Sequence, residues 1–315
     1  MRILLLIPII ALGCNTNQSV DTVSTNTQDT LAVFEPSLIS DGFDNRDMTI
    51  SPDGKELFYT IQYENKRSYI MHAVYSNGQL QEPTIAWFSG VHKDLEAAFS
   101  PDGNEIYFAS DRPLIPGENA ADYNIWKITR SINGWSEPVA LDSSINTRKD
   151  EYYPSIASNG NLYFTRDNGA TLEDIWIAVK NGDFYHPAIP MEDAVNSKGY
   201  DFNAFVSPDE EFIIFTSYKR PDDLGSGDLY FSRKKDGQWQ PAVHLDAPFN
   251  STAIDYCPFV SPDKKYFYFT SARITRTLTP DSANTKSALN KLLGGPGSGS
   301  DDIYRVPMSE LERYF

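Results

Sequence analysis

Between residues 45 and 306 the chain alternates compact apolar runs with short polar turns, and the runs return in a constant order. Five of them are nearly continuous in aromatic and branched residues: ELFYT from Glu56, EIYFAS from Glu105, LYFT from Leu162, FIIFTS from Phe212 and YFYFTS from Tyr266. Strands buried on both faces read this way. Each run follows a turn string: SPDG at Ser51 and Ser100, ASNG at Ala157, SPDE at Ser207 and SPDK at Ser261. Pro presets φ at the second position, Asp tolerates the third and Gly relieves the fourth, as a type I turn requires. A further strand is predicted after each run, marked by Asn124-Ile125-Trp126, Asp174-Ile175-Trp176, Asp228-Leu229-Tyr230 and Asp302-Ile303-Tyr304; the first copy keeps only Ser68-Tyr69-Ile70. An outer strand with a proline comes last, over Gly78–Pro83, Gly134–Pro138, Gly182–Pro187 and Gly237–Pro241. Proline suits an edge strand, where its missing N–H has no partner to fail.

The turn strings recur at roughly fifty residues, the scale of one four-stranded propeller blade. Five copies predict an all-β, five-bladed β-propeller. The fifth copy stops after its third strand, at Arg305-Val306. Residues 33–39 (VFEPSLI) read like the outer strand from Gly134 to Leu141 (GWSEPVAL). The N-terminal segment is therefore expected to complete the last blade, which closes the ring and removes an open sheet edge. The units resemble the bacterial TolB-type, WD-like propeller repeat over residues 33–306. The linkers Ile145-Asn146-Thr147, Val195-Asn196-Ser197 and Phe249-Asn250-Ser251 are similar to those of propellers fused to OmpA-type domains in Bacteroidota envelopes. That resemblance implies the fold and leaves the task open, because the repeat serves many roles. An OmpA-type domain is not part of the sequence.

The N-terminal residues change the picture of where the protein works. Met1-Arg2, an apolar run from Ile3 to Leu12, then Gly13-Cys14 read as a secretory signal, too short to span a membrane. The Ala11-Leu12-Gly13-Cys14 ending resembles a bacterial lipobox, which implies lipidation of Cys14. Residues 1–14 are thus expected to be a lipoprotein signal, 15–32 a flexible tether with little to pack, and 33–315 the propeller. The rest of the chain has one thiol, Cys257, so no internal disulfide is expected. A balance of 27 basic against 43 acidic residues, net −16, argues against nucleic acid and against adsorption to anionic lipid. Membrane attachment is expected through the lipid alone. No acidic cluster follows Cys14, so the periplasmic side of an outer membrane is the expected location, with a monomeric domain.

Candidate chemistry comes from repeat positions. Six residues before each turn string stand Asn45, Asp94, Glu151, Asp201 and Asp255; four before it stand Asp47, Glu96, Tyr153, Asn203 and Cys257. Both sets are expected near the axis, on the face where the first strands begin. Asp94, Glu151, Asp201 and Asp255 could hold Ca²⁺, a hard cation that takes oxygen ligands. With Glu96 they could instead supply the acid and base of a glycosidase, as in five-bladed glycosidases of the arabinanase type. The competing reading has each acid cap its own blade, and repetition in every blade favours it. Arg112, Arg166, Lys219 and Arg273 end the second strands and, with Tyr153, are candidates for a carboxylated or sulfated ligand. Salt bridging to the nearby acids is the plainer alternative.

A long insertion spans 274–300 in the fifth blade, with a helical candidate at Ser287–Leu293 and a glycine-rich stretch after it. Long loops in compact domains are lids or partner surfaces more often than spacers. No zinc-protease or nucleophile-elbow motif is present, and His72, His92, His186 and His244 fall at unlike repeat positions. Cys257 fits a small apolar filler better than a nucleophile. The favoured expectation is a non-catalytic envelope module that binds a protein or a carbohydrate. Its rival is a glycoside hydrolase or polysaccharide lyase using carboxylates from several blades.

Overall fold

The computed structural model describes residues 31–115, 117–119, 122–168, 172–276 and 285–315. The expected signal, Cys14 and most of the tether lie outside the described residues, as does the 277–284 part of the long loop.

The chain is a five-bladed β-propeller. The inner strands are Asp44–Ile50, Asp94–Phe99, Glu151–Ile156, Tyr200–Val206 and Asp255–Val260. Each pairs antiparallel with a second strand and that with a third, so every blade is a meander. The second strands carry the core. Tyr59, Tyr107, Tyr163, Phe215 and Phe267 are fully or almost fully buried between neighbouring blades, which explains why these runs lack polar alternation. The outer strand is cut in two wherever its proline falls. In the second blade Gly134–Trp135 pairs with the end of the third strand, and Val139–Ala140 resumes the pairing after Pro138.

Closure follows the expected scheme with a different register. Ala32–Val33 pairs with Tyr304 and Arg305 of the third strand, and the Phe34 N–H donates to Ile303 O at 2.8 Å. Leu141, Met191 and Leu245 make that same bond in their blades. Phe34, not Ile39, therefore takes the place of Leu141. The proline match that suggested the other alignment is fortuitous, because Pro36 lies beyond the strand. Phe34 and Ile39 are nevertheless both buried, and Phe34 meets Tyr268 edge-on at 5.1 Å.

The linker asparagines fasten the outer end of the blade they leave. Asn146 accepts from Ile125 N and donates to Ile125 O and Leu141 O, tying the third strand to the end of the outer one. Asn196 and Asn250 repeat the pattern. Ser89 and Ser40 accept the corresponding N–H in the first and fifth blades. The long loop holds a helix at Lys286–Leu293, capped by Thr285, and reaches the entry to the first blade. There Gly42, at φ 98°, lies so close to Gly294 O that a Cβ would sit 2.2 Å from it. After the last strand a 3₁₀ helix, Met308–Tyr314, buries Leu311 against the fourth and fifth blades.

Candidate functional site

The two sets of repeat positions do not both face the axis. Every inner strand breaks its pairing register just after the fifth residue before the turn string. There Asp47, Glu96, Tyr153, Asn203 and Cys257 all take positive φ, between 40° and 61°. A left-handed bulge turns its side chain out of the sheet, and these five meet in one layer across the channel. Asp94, Glu151, Asp201 and Asp255 precede the bulge, in regular register with Ser110, Arg166, Ser217 and Ser271. They face the packing between blades.

Each of those four acids is clipped within its own blade. Arg112 Nη2 lies 2.6 Å from Asp94, Arg166 Nε 2.8 Å from Glu151 and Arg220 Nη2 2.8 Å from Asp201, and Arg273 pairs with Asp255. The same guanidinium groups donate to a carbonyl in the linker entering the blade: Phe88, Ile145, Val195 and Phe249. They also lie over Trp126, Trp176, Tyr230 and Tyr304, the aromatics of the third-strand strings, at 4.1–5.3 Å. Glu151, Asp201 and Asp255 additionally accept the backbone N–H of Thr147, Ser197 and Ser251. In the fourth blade the clip is Arg220 and not Lys219, which stands over the Tyr200 ring at 4.7 Å. The first blade lacks all three parts, with Asn45 for the acid and Met71 where the others have an aromatic.

The axial layer is connected across blades. Arg46, one residue before the bulge, donates to Glu96, lies 3.5 Å from Cys257 Sγ and has its Nε 3.5 Å from Asp47 Oδ2. Glu96 also accepts from Tyr153 N at 2.8 Å and Asn203 Nδ2 at 3.2 Å. The bulge N–H groups of Asp47, Glu96 and Asn203 donate to threonines of the preceding blade, Thr270, Thr60 and Thr165. The second blade has Ala109 at that position, and Glu96 takes over the bond to Tyr153 N. Among the described residues Asp47, Glu96 and Cys257 are the one group whose metal-ligating atoms lie within 4.8 Å of one another. The Arg46 guanidinium already stands among them. Asp94, Glu151, Asp201 and Asp255 form no such group, so the expected Ca²⁺ set is not brought together.

Burial raises Asp47 well above the usual carboxylate range and raises Glu96 too, while Arg46 pulls both back. Burial likewise pushes the Cys257 thiol well above its ordinary value, which leaves no thiolate at neutral pH.

This layer divides the channel into two spaces. The upper recess, about 530 Å³, opens on the face where the inner strands begin. Its floor is Arg46 and Glu96, and its aromatic wall is Tyr123, Tyr152, Phe202 and Tyr256. Four carboxylates join them: Asp150, Asp167, Glu173 and Asp301. Tyr152 OH donates to Glu173, Tyr256 OH to Asp301 at 2.6 Å, and Tyr123 N to Asp150 at 2.7 Å. Burial raises the pKa of Glu173 and Asp301. Among the described residues none of the 274–300 loop lines the recess, while Asp301, just beyond it, does. The lower space, about 340 Å³, opens among the turn strings and is mostly apolar.

Of the sequence candidates, Glu96 borders both spaces, Tyr153 lines the lower one and donates to Pro258 O at 3.0 Å, and Arg112, Arg166, Lys219 and Arg273 line neither. The recess residues Arg46, Tyr152 and Tyr256 sit one position before the bulge, between the two positions that sequence comparison singled out.

No protein-family model matches the chain, and no curated protein does. Among solved structures it is similar to a putative TolB from Agrobacterium tumefaciens, at TM-score 0.49 and 15% identity over 84% of this chain and 90% of that one. It is also similar to TolB from Acinetobacter baumannii, at 0.45 and 16%, over 84% and 54%. A third likeness is to PpgL, a periplasmic gluconolactonase of Pseudomonas aeruginosa, at 0.42 and 14%, over 72% and 64%. The chain thus spans about half the length of the Acinetobacter protein. These likenesses concern the propeller fold and say nothing of a ligand. Among the described residues no helix is long and apolar enough to cross a membrane.

Proposed function

We propose that the chain is a non-catalytic binding module of the cell envelope, tethered through a lipid on Cys14, whose upper recess receives a positively charged group of its partner. One observation carries this reading. The recess gathers four carboxylates beside three tyrosines, while the one cation among its described lining residues, Arg46, is already balanced by Glu96 and Asp47. An ammonium or guanidinium group entering there meets both carboxylates and aromatic faces. The chemistry fits a lysine or arginine side chain of a protein, or an amino sugar of a glycan. The clipping of Asp94, Glu151, Asp201 and Asp255 to arginines counts against their use as a glycosidase acid and base.

Titration with cadaverine, glucosamine and glucose tests the recess. The two amines are expected to bind and glucose is not, with the Glu173→Gln/Asp301→Asn double variant losing amine binding at least tenfold. Equal binding of glucose, or glycan cleavage that the double variant loses, would replace this reading with the enzymatic one. The anchor is tested separately: Cys14→Ser is expected to abolish fatty-acid labelling and release the protein from membranes.

A further inference from the structure

The lower space differs from the recess in every respect that matters for a ligand. Its walls come from the inner strands between the bulge and the turn string. Two residues past the bulge stand Thr49, Ala98, Ser155, Phe205 and Phe259. The two phenylalanines pack edge-on at 5.8 Å and occupy one side of the axis. Thr49, Ala98 and Ser155 are small and leave room beside them, and residues of all five blades line the void. The hydroxyls of Thr49 and Ser155 are spent on Phe99 N and Val206 N of the next blade, at 3.3 and 2.9 Å. They present little polarity to the void.

From the mouth at Pro52, Pro101, Pro208 and Pro262 to the closed end at Asp47 the space follows four or so strand residues, a depth of roughly 13 Å. A volume of about 340 Å³ over that depth makes a narrow, elongated space. One extended alkyl chain or one flat ring fits, and a folded peptide segment does not. At the closed end Asp47 is 2% exposed. Its Oδ1 accepts from Thr60 Oγ1 at 3.0 Å, and its Oδ2, sealed from the space, lies 3.5 Å from Arg46 Nε. Mostly apolar walls round a closed end are the common make-up of a small-molecule site.

We infer that the lower cavity is a binding site for a slender, neutral lipophile. This goes beyond the recess reading and does not depend on it. The acidic end, with Glu96 beside Asp47, disfavours a carboxylate head. Chains longer than the cavity gain nothing further, because the excess stays in water.

The test uses the full chain carrying Cys14→Ser, so that no acyl group of its own competes, and a series of straight-chain alcohols from butanol to hexadecanol. Affinity by calorimetry is expected to rise with length, level off near decanol, and fall at least tenfold when octanol is replaced by octanoate. Intermolecular NMR contacts are expected from octanol to the rings of Phe205 and Phe259 and to the Ala98 methyl. Ala98→Phe fills the void and is expected to abolish binding while leaving amine binding in the recess unchanged. Absence of octanol binding, affinity that keeps rising past decanol, or contacts that avoid Phe205 and Phe259 would overturn the inference, and the contacts decide the matter even if Ala98→Phe does not fold. Octanoate binding as tightly as octanol would overturn it too, since a neutral ligand would then have no advantage.

Discussion

Two rings of side chains, two residues apart in every repeat, have opposite fates. The ring of Asp94, Glu151, Asp201 and Asp255 is uniform: each acid pairs with an arginine of its own blade, and that arginine also donates to a linker carbonyl and lies over an aromatic ring. The ring of Asp47, Glu96, Tyr153, Asn203 and Cys257 shares a backbone conformation but no chemistry. Its members contact one another across blades. The lesson is that repetition marks what each blade needs for itself, and divergence at a repeated geometry marks what the whole ring has been shaped to do.

The contrast can be broken most forcefully at Arg46. Arg46→Ala leaves Asp47 and Glu96 buried without their cation, and a loss of about 3–5 kcal/mol is expected in denaturant titrations. Adding Glu96→Gln should recover part of that loss, since the two groups lie in one network. An additive double variant would mean the axial layer is not connected.

The outer ring should respond less, and alike in each blade. Asp201→Asn and Asp255→Asn keep an oxygen for the linker N–H but weaken the bond to a buried arginine. Each is expected to cost about 1–3 kcal/mol, without effect on amine binding. A blade that lost amine binding would carry function in the uniform ring after all.

Asp302 shows what a buried acid experiences without a clip. It has no salt bridge among the described residues, accepts one N–H from Gly297 at 2.6 Å, and leaves Oδ1 without a hydrogen bond. Burial raises its pKa from 3.8 to about 6. The folded state then holds the proton more tightly than the unfolded one. Its contribution is intact below about pH 4 and is lost as pH rises to about 6. Asp302→Asn is expected to be more stable than the parent by roughly 1–2 kcal/mol at pH 8, partial screening included, with the gap closing by pH 4. Thermal melts across that range check it, and a gap independent of pH would contradict the sign.

The smallest effect is expected at Ala109, where the second blade lacks the threonine that receives the next bulge N–H in the first, third and fifth blades. Ala109→Ser offers Tyr153 N an oxygen of the usual kind and should change stability by less than about 1 kcal/mol. A large loss would mean that the Glu96 to Tyr153 bond is essential to the layer.

Much of this architecture was legible in the sequence. Turn strings, two-sided strands and a truncated fifth repeat led to five blades and to closure by the N-terminus. The clip was legible in pieces, as acids, arginines and aromatic strings, but its assembly was not. Arg220 was missed because the fourth blade's connection runs one residue longer, so Lys219 fell at the matching number. The axial layer escaped for a different reason. A strand read with period two puts positions six and four before the turn on one face, and the bulge between them breaks that period. No composition signal announces a positive φ at Asp, Glu, Tyr, Asn and Cys alike. The recess tyrosines sat at the intervening position for the same reason.

The strand that completes the fifth blade has a consequence for how the molecule comes together. Ala32–Val33 pairs with a strand made some 270 residues later, the most distant strand pairing among the described residues. Four blades can form their ladders as they are synthesised, while the earliest segment waits for the last one. Ring closure, and with it the meeting of Arg46 with Cys257, belongs at the end of folding. Among the described residues the lock is two residues of strand, the Phe34 bond and the Ile303 N–H to Ser40, far shorter than the ladders within the blades. Hydrogen exchange should therefore be quickest to unzip there, exposing the edge of Asp302–Pro307 while the other four blades stay whole.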